Sequence, residues 1–303
     1  MLGCCRRRSR MAVANLSGFI EEVQKRLSDW TGPKLRSVQQ GASNRFPDRP
    51  DLDELAKVAW FRGQGAPWPL VPRLYQNERF TRLSESKMNI ECLTMGARFV
   101  KDKKELPSWL CLMQHHGLPT RLLDWSESAA VALYFAVEQG DQFRKWDRWR
   151  DQFSPIVWVF NPHAMNWVAT GGSPIPIASA AYAAGNPKDG YTELWGLKNV
   201  YAAFDPYGPE DDLPNAIMPE YVHDRLQTQK SRFTAHGKRQ VGIERVFVDS
   251  DLVKQGFLFS IEIDKHAADR ILVELRRFGI SRSTLFPDLD GLGIELGMRL
   301  SHP

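Results

Sequence analysis

Cysteine is scarce. The 303-residue chain has four, with Cys4 and Cys5 in an N-terminal tail and no CxxC pair around Cys92 or Cys111. That excludes a disulfide framework and a cysteine-type zinc site, and it suits a reducing compartment, so a cytoplasmic protein is expected. Long apolar runs are missing too. None approaches the roughly 20 residues that span a bilayer, so no membrane span is expected. The opening segment MLGCCRRRSR is basic but no apolar stretch follows it, so it is not expected to be a secretory signal. Met11 is an alternative start, and acylation of Cys4 and Cys5 beside the arginines is an alternative use of the tail. Excess charge is absent as well. With 40 Lys and Arg against 36 Asp and Glu the net charge is +4, enough to tolerate an anionic ligand and too little to coat nucleic acid. There is no internal repeat, no low-complexity tract and no carboxylate cluster, and the last absence argues against a metal-dependent nuclease.

What is present is an ordinary globular composition, 43% hydrophobic and 25% charged, with ten tryptophans spread along the chain. Leu16, Phe19, Ile20, Val23, Leu27 and Trp30 share one helical face. Residues 31 to 52 read as a loop, and Val58 to Arg62 as a short strand before the turn-forming GQGAPWPLVP. Residues 84 to 109 carry one or two helices. The segment ESAAVALYFAVE is apolar all round and predicts a buried helix, capped by Asp124 or Ser126 with Glu127 completing a capping box. A charged helix (FRKWDRWRDQF) and a buried strand, Pro155 to Phe160, follow. Residues 161 to 215, rich in Gly, Pro, Ala and Tyr, predict an irregular insertion. Phe257, Phe259, Ile261 and Ile263 alternate as a strand does, and Asp264 caps a helix that Gly279 ends. The expected architecture is a disordered basic tail over 1–14 and a single α+β domain over 15–303, with a mixed or antiparallel sheet and packed helices.

The polar residues admit two readings each. Arg62 closes a short apolar strand before glycines. A guanidinium on a strand suits bidentate binding of phosphate or carboxylate, and pairing with Asp124 is the competing use. Gly63 would let a ligand approach the backbone. His115 and His116 are adjacent and point apart; one of them is a hydrogen-bonding or acid–base candidate, or a structural histidine. Cys111 and His115 are four apart but lack further ligands, so no metal is expected. Thr120, Arg121, Asp124, Trp125 and Ser126 precede the buried helix, whose N-terminus could receive an anion together with Arg121; caps and an Arg121–Asp124 pair are the plainer account. Residues 231 to 236 could form a strand with Phe233 and Ala235 inward and Thr234 and His236 toward a cleft. Asp288 and Asp290, around Pro287 and Gly291, read as a turn.

Four blocks resemble the FRG domain family. They are Trp60-Phe61-Arg62-Gly63-Gln64; QHHGLPTRLLDWS (Gln114 to Ser126) with Ala132-Leu133-Tyr134-Phe135-Ala136; Arg225 to Gly237; and Leu285 to Gly291. Together they span about 55–292. By fold analogy the order of these blocks is similar to that of ADP-ribosyltransferases. The analogy implies NAD as co-substrate, Arg62 or Arg121 on the pyrophosphate, Tyr134 or Trp125 on the nicotinamide, and Arg62, His115 and Gln229 in catalysis. Gln229 stands where that analogy wants a glutamate, and it cannot supply negative charge to a developing cation. The implied function is a nucleotide-binding cleft, with ADP-ribosyl transfer to a protein or nucleic acid in a bacterial toxin or anti-phage effector. The alternative is a binding module for a nucleotide or nucleic acid without turnover.

Overall fold

Short runs of β-branched and aromatic residues pair into one sheet in the computed structural model, which describes residues 12–40, 51–76, 82–100, 106–138, 153–170, 175–177, 213–221, 223–237, 240–250 and 252–301. The strands are β1 (Trp60–Gln64), β2 (Leu122–Ser126), β3 (Ile156–Phe160), β4 (Asn215–Ile217), β5 (Ser231–Ala235) and β6 (Leu258–Glu262). They lie in the order β4-β5-β2-β1-β3-β6, and every pairing is antiparallel. The helices are α1 (Leu16–Leu27), α2 (Gly32–Gln40), α3 (Leu52–Ala56), α4 (Arg82–Gly96), α5 (Leu106–His115), α6 (Ala129–Val137), α7 (Pro162–Thr170), α8 (Asp224–Thr228), α9 (Ile243–Asp249), α10 (Ala268–Arg277), α11 (Arg282–Leu285) and α12 (Leu289–Ser301). Among the described residues no helix is long and apolar enough to cross a membrane. The expected α+β class holds, with the sheet antiparallel throughout.

Two apolar clusters hold the sheet. The larger gathers Phe19, Trp60, Val157, Val159, Phe160, Phe257, Ile261 and the whole buried face of α6. The smaller packs Leu110 and Met113 of α5 and Leu226 of α8 on Ile217, Phe233 and Ala235. Strand β2 borders both, with Leu122 in the smaller and Leu123 and Trp125 in the larger. The pairing between β1 and β2 is thin: one register pair, Phe61 with Ser126, against five each for β1–β3 and β2–β5. Arg62 and Asp124 meet across that seam.

Several expectations need correction. Residues 31 to 52 are not all loop: α2 takes Gly32–Gln40, burying Leu35 and Val38, and α3 begins at Leu52, while residues 41–50 lie outside the described residues. Pro33 sits in the first turn of α2, where its missing N–H costs no intrahelical bond. Asp124 and Ser126 do not cap α6. Both lie in β2, whose five-residue ladder with β5 claims them, and the cap is Ser128, whose Oγ accepts from the Val131 amide at 3.3 Å. The insertion begins with order, because α7 follows β3 directly and Asn166 binds both the carbonyl and the amide of Ala216; residues 171–174 and 178–212 lie outside the described residues. Apart from Phe153, so does the FRKWDRWRDQF helix. Of the tail, residues 1–11 lie outside the description. Val13 bridges Ile263, so the ordered chain starts before residue 15.

The C-terminal elements follow the sequence reading more closely. Asp264 accepts from the His266 amide at 2.9 Å, and Gly279 (φ +78°) closes α10 in the left-handed region. The aspartate turn does more than turn. Asp288 Oδ1 accepts from the Gly291 amide at 2.7 Å and so starts α12. That helix then lies with its polar side inward: Glu295 is buried against Ser281 Oγ (2.9 Å) and the Ser283 amide (2.7 Å), while Leu289 and Leu300 are 85% and 84% exposed.

Candidate functional site

Gly63 fixes how close helix and sheet can come. A Cβ at that position would sit 1.8 Å from the Ala132 carbonyl oxygen and 2.5 Å from the Ala136 amide nitrogen, both backbone atoms of α6. The glycine therefore admits a helix to the strand; the expected close approach is of protein backbone, not ligand. With α6 on that side, neighbouring Arg62 reaches across the β1–β2 seam. Its Nη1 donates to the Asp124 carbonyl at 2.7 Å and lies 3.8 Å from Asp124 Oδ2. Its Nε is buried with no hydrogen-bond partner. The side chain is 21% exposed, and burial lowers its pKa against the opposing pull of Asp124.

Asp124 is the centre of the site. Its Oδ1 accepts from Gln114 Nε2 at 2.6 Å, and Gln114 Oε1 in turn accepts from Thr120 Oγ1. A chain Thr120–Gln114–Asp124 thus fixes the carboxylate from behind. Its side chain is 59% exposed, yet burial raises its pKa over the opposing effects of Arg62 and the Gln114 hydrogen bond. The two usages left open for Arg62 and Asp124 merge here: they adjoin, but at 3.8 Å the carboxylate does not satisfy the guanidinium.

A second polar group adjoins Gln114. His115, at the end of α5, has its ring centroid 3.9 Å from that of His223 and 4.8 Å from that of His116. Both ring nitrogens of His223 are buried without a partner. The Arg225–Asp288 ion pair, with the Arg225 guanidinium over Phe286, completes the group. Burial first, then the neighbouring His223, Arg225 and His116, push the His115 pKa down to about 4, and burial lowers that of His223 as well. These imidazoles are therefore neutral at neutral pH. Nothing in the sequence signalled His223, more than a hundred residues from His115; only the packing of α8 beside α5 joins them. Among the described residues no group of three or more His, Cys, Asp and Glu side chains could hold a metal ion.

The remaining candidates are engaged elsewhere. Arg121 forms a buried ion pair with Glu85 of α4, Nε to Oε2 at 2.8 Å, and not with Asp124 or an anion at a helix end. Ser126 donates to the Gln229 carbonyl at 2.7 Å and accepts from the Ser128 amide at 3.0 Å. Gln229 donates its side-chain amide to the Leu285 carbonyl at 2.9 Å. Trp125 packs on Phe160 and donates to Thr234 Oγ1 at 3.2 Å, and Thr234 lies 3.2 Å from His236 Nε2. Thr234 and His236 are fully buried, so they do not open onto a cleft as expected of that strand. Tyr134 is buried with its hydroxyl on Glu138 Oε1 at 2.8 Å. Burial and then Glu138 raise its pKa. Trp125 and Tyr134 therefore offer no open ring face for a nicotinamide.

The buried histidines give a pH dependence. Burial pushes the His236 pKa down to about 3, and His115 titrates near 4, against an ordinary 6.5. Between those values the unfolded chain binds more protons than the folded one. Stability is then fully present above pH 6.5 and falls as pH drops through 6.5 toward 4. Thermal unfolding followed from pH 8 to pH 4 should show Tm declining below about 6.5. His115→Asn should flatten part of that decline.

Fold and site together define an antiparallel α+β protein with an arginine–aspartate pair at the seam of its two central strands. Residues 57–145, which include β1, β2 and α6, match the family model described as FRG domain. No curated protein and no solved structure matches it. The two later blocks lie outside the matched range but touch each other, through Arg225 with Asp288 and Gln229 with Leu285.

Proposed function

We propose that this FRG-domain protein binds a nucleotide by its phosphate in the β1–β2 cleft, with NAD as the candidate ligand. One observation carries the reading: Arg62 is anchored through Nη1 to a backbone carbonyl while its side chain keeps 21% of its surface open beside Asp124. A guanidinium held in place by one backbone contact, with further N–H donors partly open, is suited to an oxyanion, because charge-assisted hydrogen bonds are the strong ones. Calorimetric titration of the full chain with ADP and with NAD, beside Arg62→Gln, tests this. The variant should bind about 10- to 100-fold more weakly, the scale of one charged hydrogen-bonding group. Equal affinities, or no binding by either protein, would refute it.

A second reading adds turnover: ADP-ribosyl transfer from NAD to a protein or nucleic acid, as in a cytosolic bacterial toxin or anti-phage effector. It is favoured by Asp124, whose open carboxylate adjoins Arg62 and offers the negative charge that Gln229 lacks. NAD labelled in its adenylate half, incubated with the protein and cell lysate, decides between the two. Label passed to an acceptor supports transfer; binding without transfer leaves a non-catalytic module.

A further inference from the structure

An ionised carboxylate beside an anion-binding arginine works against the anion unless it meets a hydrogen-bond donor of the same ligand. Asp124 is such a carboxylate. Its Oδ1 is held by Gln114 Nε2, which is fixed in turn by Thr120. Its Oδ2 stands 3.8 Å from Arg62 Nη1, beyond hydrogen-bond length, and the side chain keeps 59% of its surface open. The relay orients the carboxylate and leaves much of it open beside Arg62. Ligand hydroxyls next to a phosphate are the groups that fit.

Resting on the nucleotide-binding reading above, we propose that the cleft selects ribonucleotides, with Asp124 accepting hydrogen bonds from sugar hydroxyls while Arg62 takes the adjoining phosphate. A site built to hydrogen-bond a hydroxyl rejects the analogue that lacks it, because its own polar group is then left unpaired. A carboxylate also discriminates where an amide oxygen does so less, since hydrogen bonds to a charged acceptor are about twice as strong.

The test is titration of the full chain with ADP, 2′-deoxy-ADP, 3′-deoxy-ADP and inorganic pyrophosphate, using wild type, Asp124→Asn and Arg62→Gln. Wild type should bind ADP at least about tenfold more tightly than one of the deoxy analogues, the scale of one charged hydrogen bond. Asp124→Asn keeps an acceptor for Gln114, so the fold stays intact, and circular dichroism checks that it does. In this variant the preference for ADP should collapse while pyrophosphate binds as well as before or better, because a like charge has been removed. Arg62→Gln should weaken every ligand. If the wild type binds ADP and both deoxy analogues equally, or if Asp124→Asn weakens pyrophosphate as much as ADP, the hydroxyl-acceptor role is wrong while nucleotide binding stands. If no nucleotide binds, both readings fall.

Discussion

Glu85→Ala should destabilise the fold by about 3–5 kcal/mol, the cost of stranding one member of a buried ion pair. Glu85 and Arg121 side chains are 1% and 4% exposed. The Glu85 carboxylate accepts from Arg121 Nε at 2.8 Å, from Nη2, and from the Arg121 amide at 3.2 Å. Removing it takes the Glu85 charge from an enclosed guanidinium and the Glu85 acceptor from the Arg121 amide. A Tm drop of about 10 °C follows for a chain of this size, read by calorimetry or denaturant unfolding. The pair Glu85→Leu with Arg121→Met should recover much of the loss, because removing both charges also removes their desolvation cost. The same experiment separates a structural Arg121 from an anion-binding one. If Arg121 served a ligand, Glu85→Ala would leave the fold near wild-type stability and strengthen anion binding.

Gly63→Ala should cost about 3 kcal/mol or more, at the upper end for overpacking. The new methyl would meet Ala132 O at 1.8 Å and Ala136 N at 2.5 Å. Both are backbone atoms inside α6, so no rotamer change can make room. The helix must lift from β1, and α6 carries Val131, Leu133, Tyr134 and Val137 into the main core. Thermal unfolding of the variant tests this, and a wild-type Tm would contradict the packing described. Because Arg62 is the next residue, any variant that survives should also lose the Arg62–Asp124 contact and with it nucleotide binding.

The strands and helices with strong periodicity were legible in the sequence. VAWFR, PIVWVF and the alternating Phe257 to Ile263 became β1, β3 and β6, and the apolar ESAAVALYFAVE became α6, because burial on one or all faces leaves a period that no tertiary knowledge is needed to read. The segment LLDWS was misread as a cap, since two short polar residues before a helix satisfy the capping pattern as well as they satisfy a strand edge. What decided it was pairing with β5, a partner more than a hundred residues away.

The site divides in the same way. The sequence by itself picked out Arg62, at the end of a short strand, as an anion-binding candidate, and Asp124 as its pairing partner or a helix cap. It could not tell Arg62 from Arg121. Each is an arginine beside a short apolar run, and only the fold buries Glu85 against one and leaves the Nε of the other unmet. Nor could it bring His223 to His115, or commit Gln229 to the Leu285 carbonyl. In α12 the tertiary structure even reverses the pattern, turning Glu295 inward and Leu289 and Leu300 out. The reason is physical. Apolar burial is read from local spacing, whereas a polar side chain takes its role from whichever partner the folded chain carries within 3 Å of it, and that partner lies anywhere in the sequence.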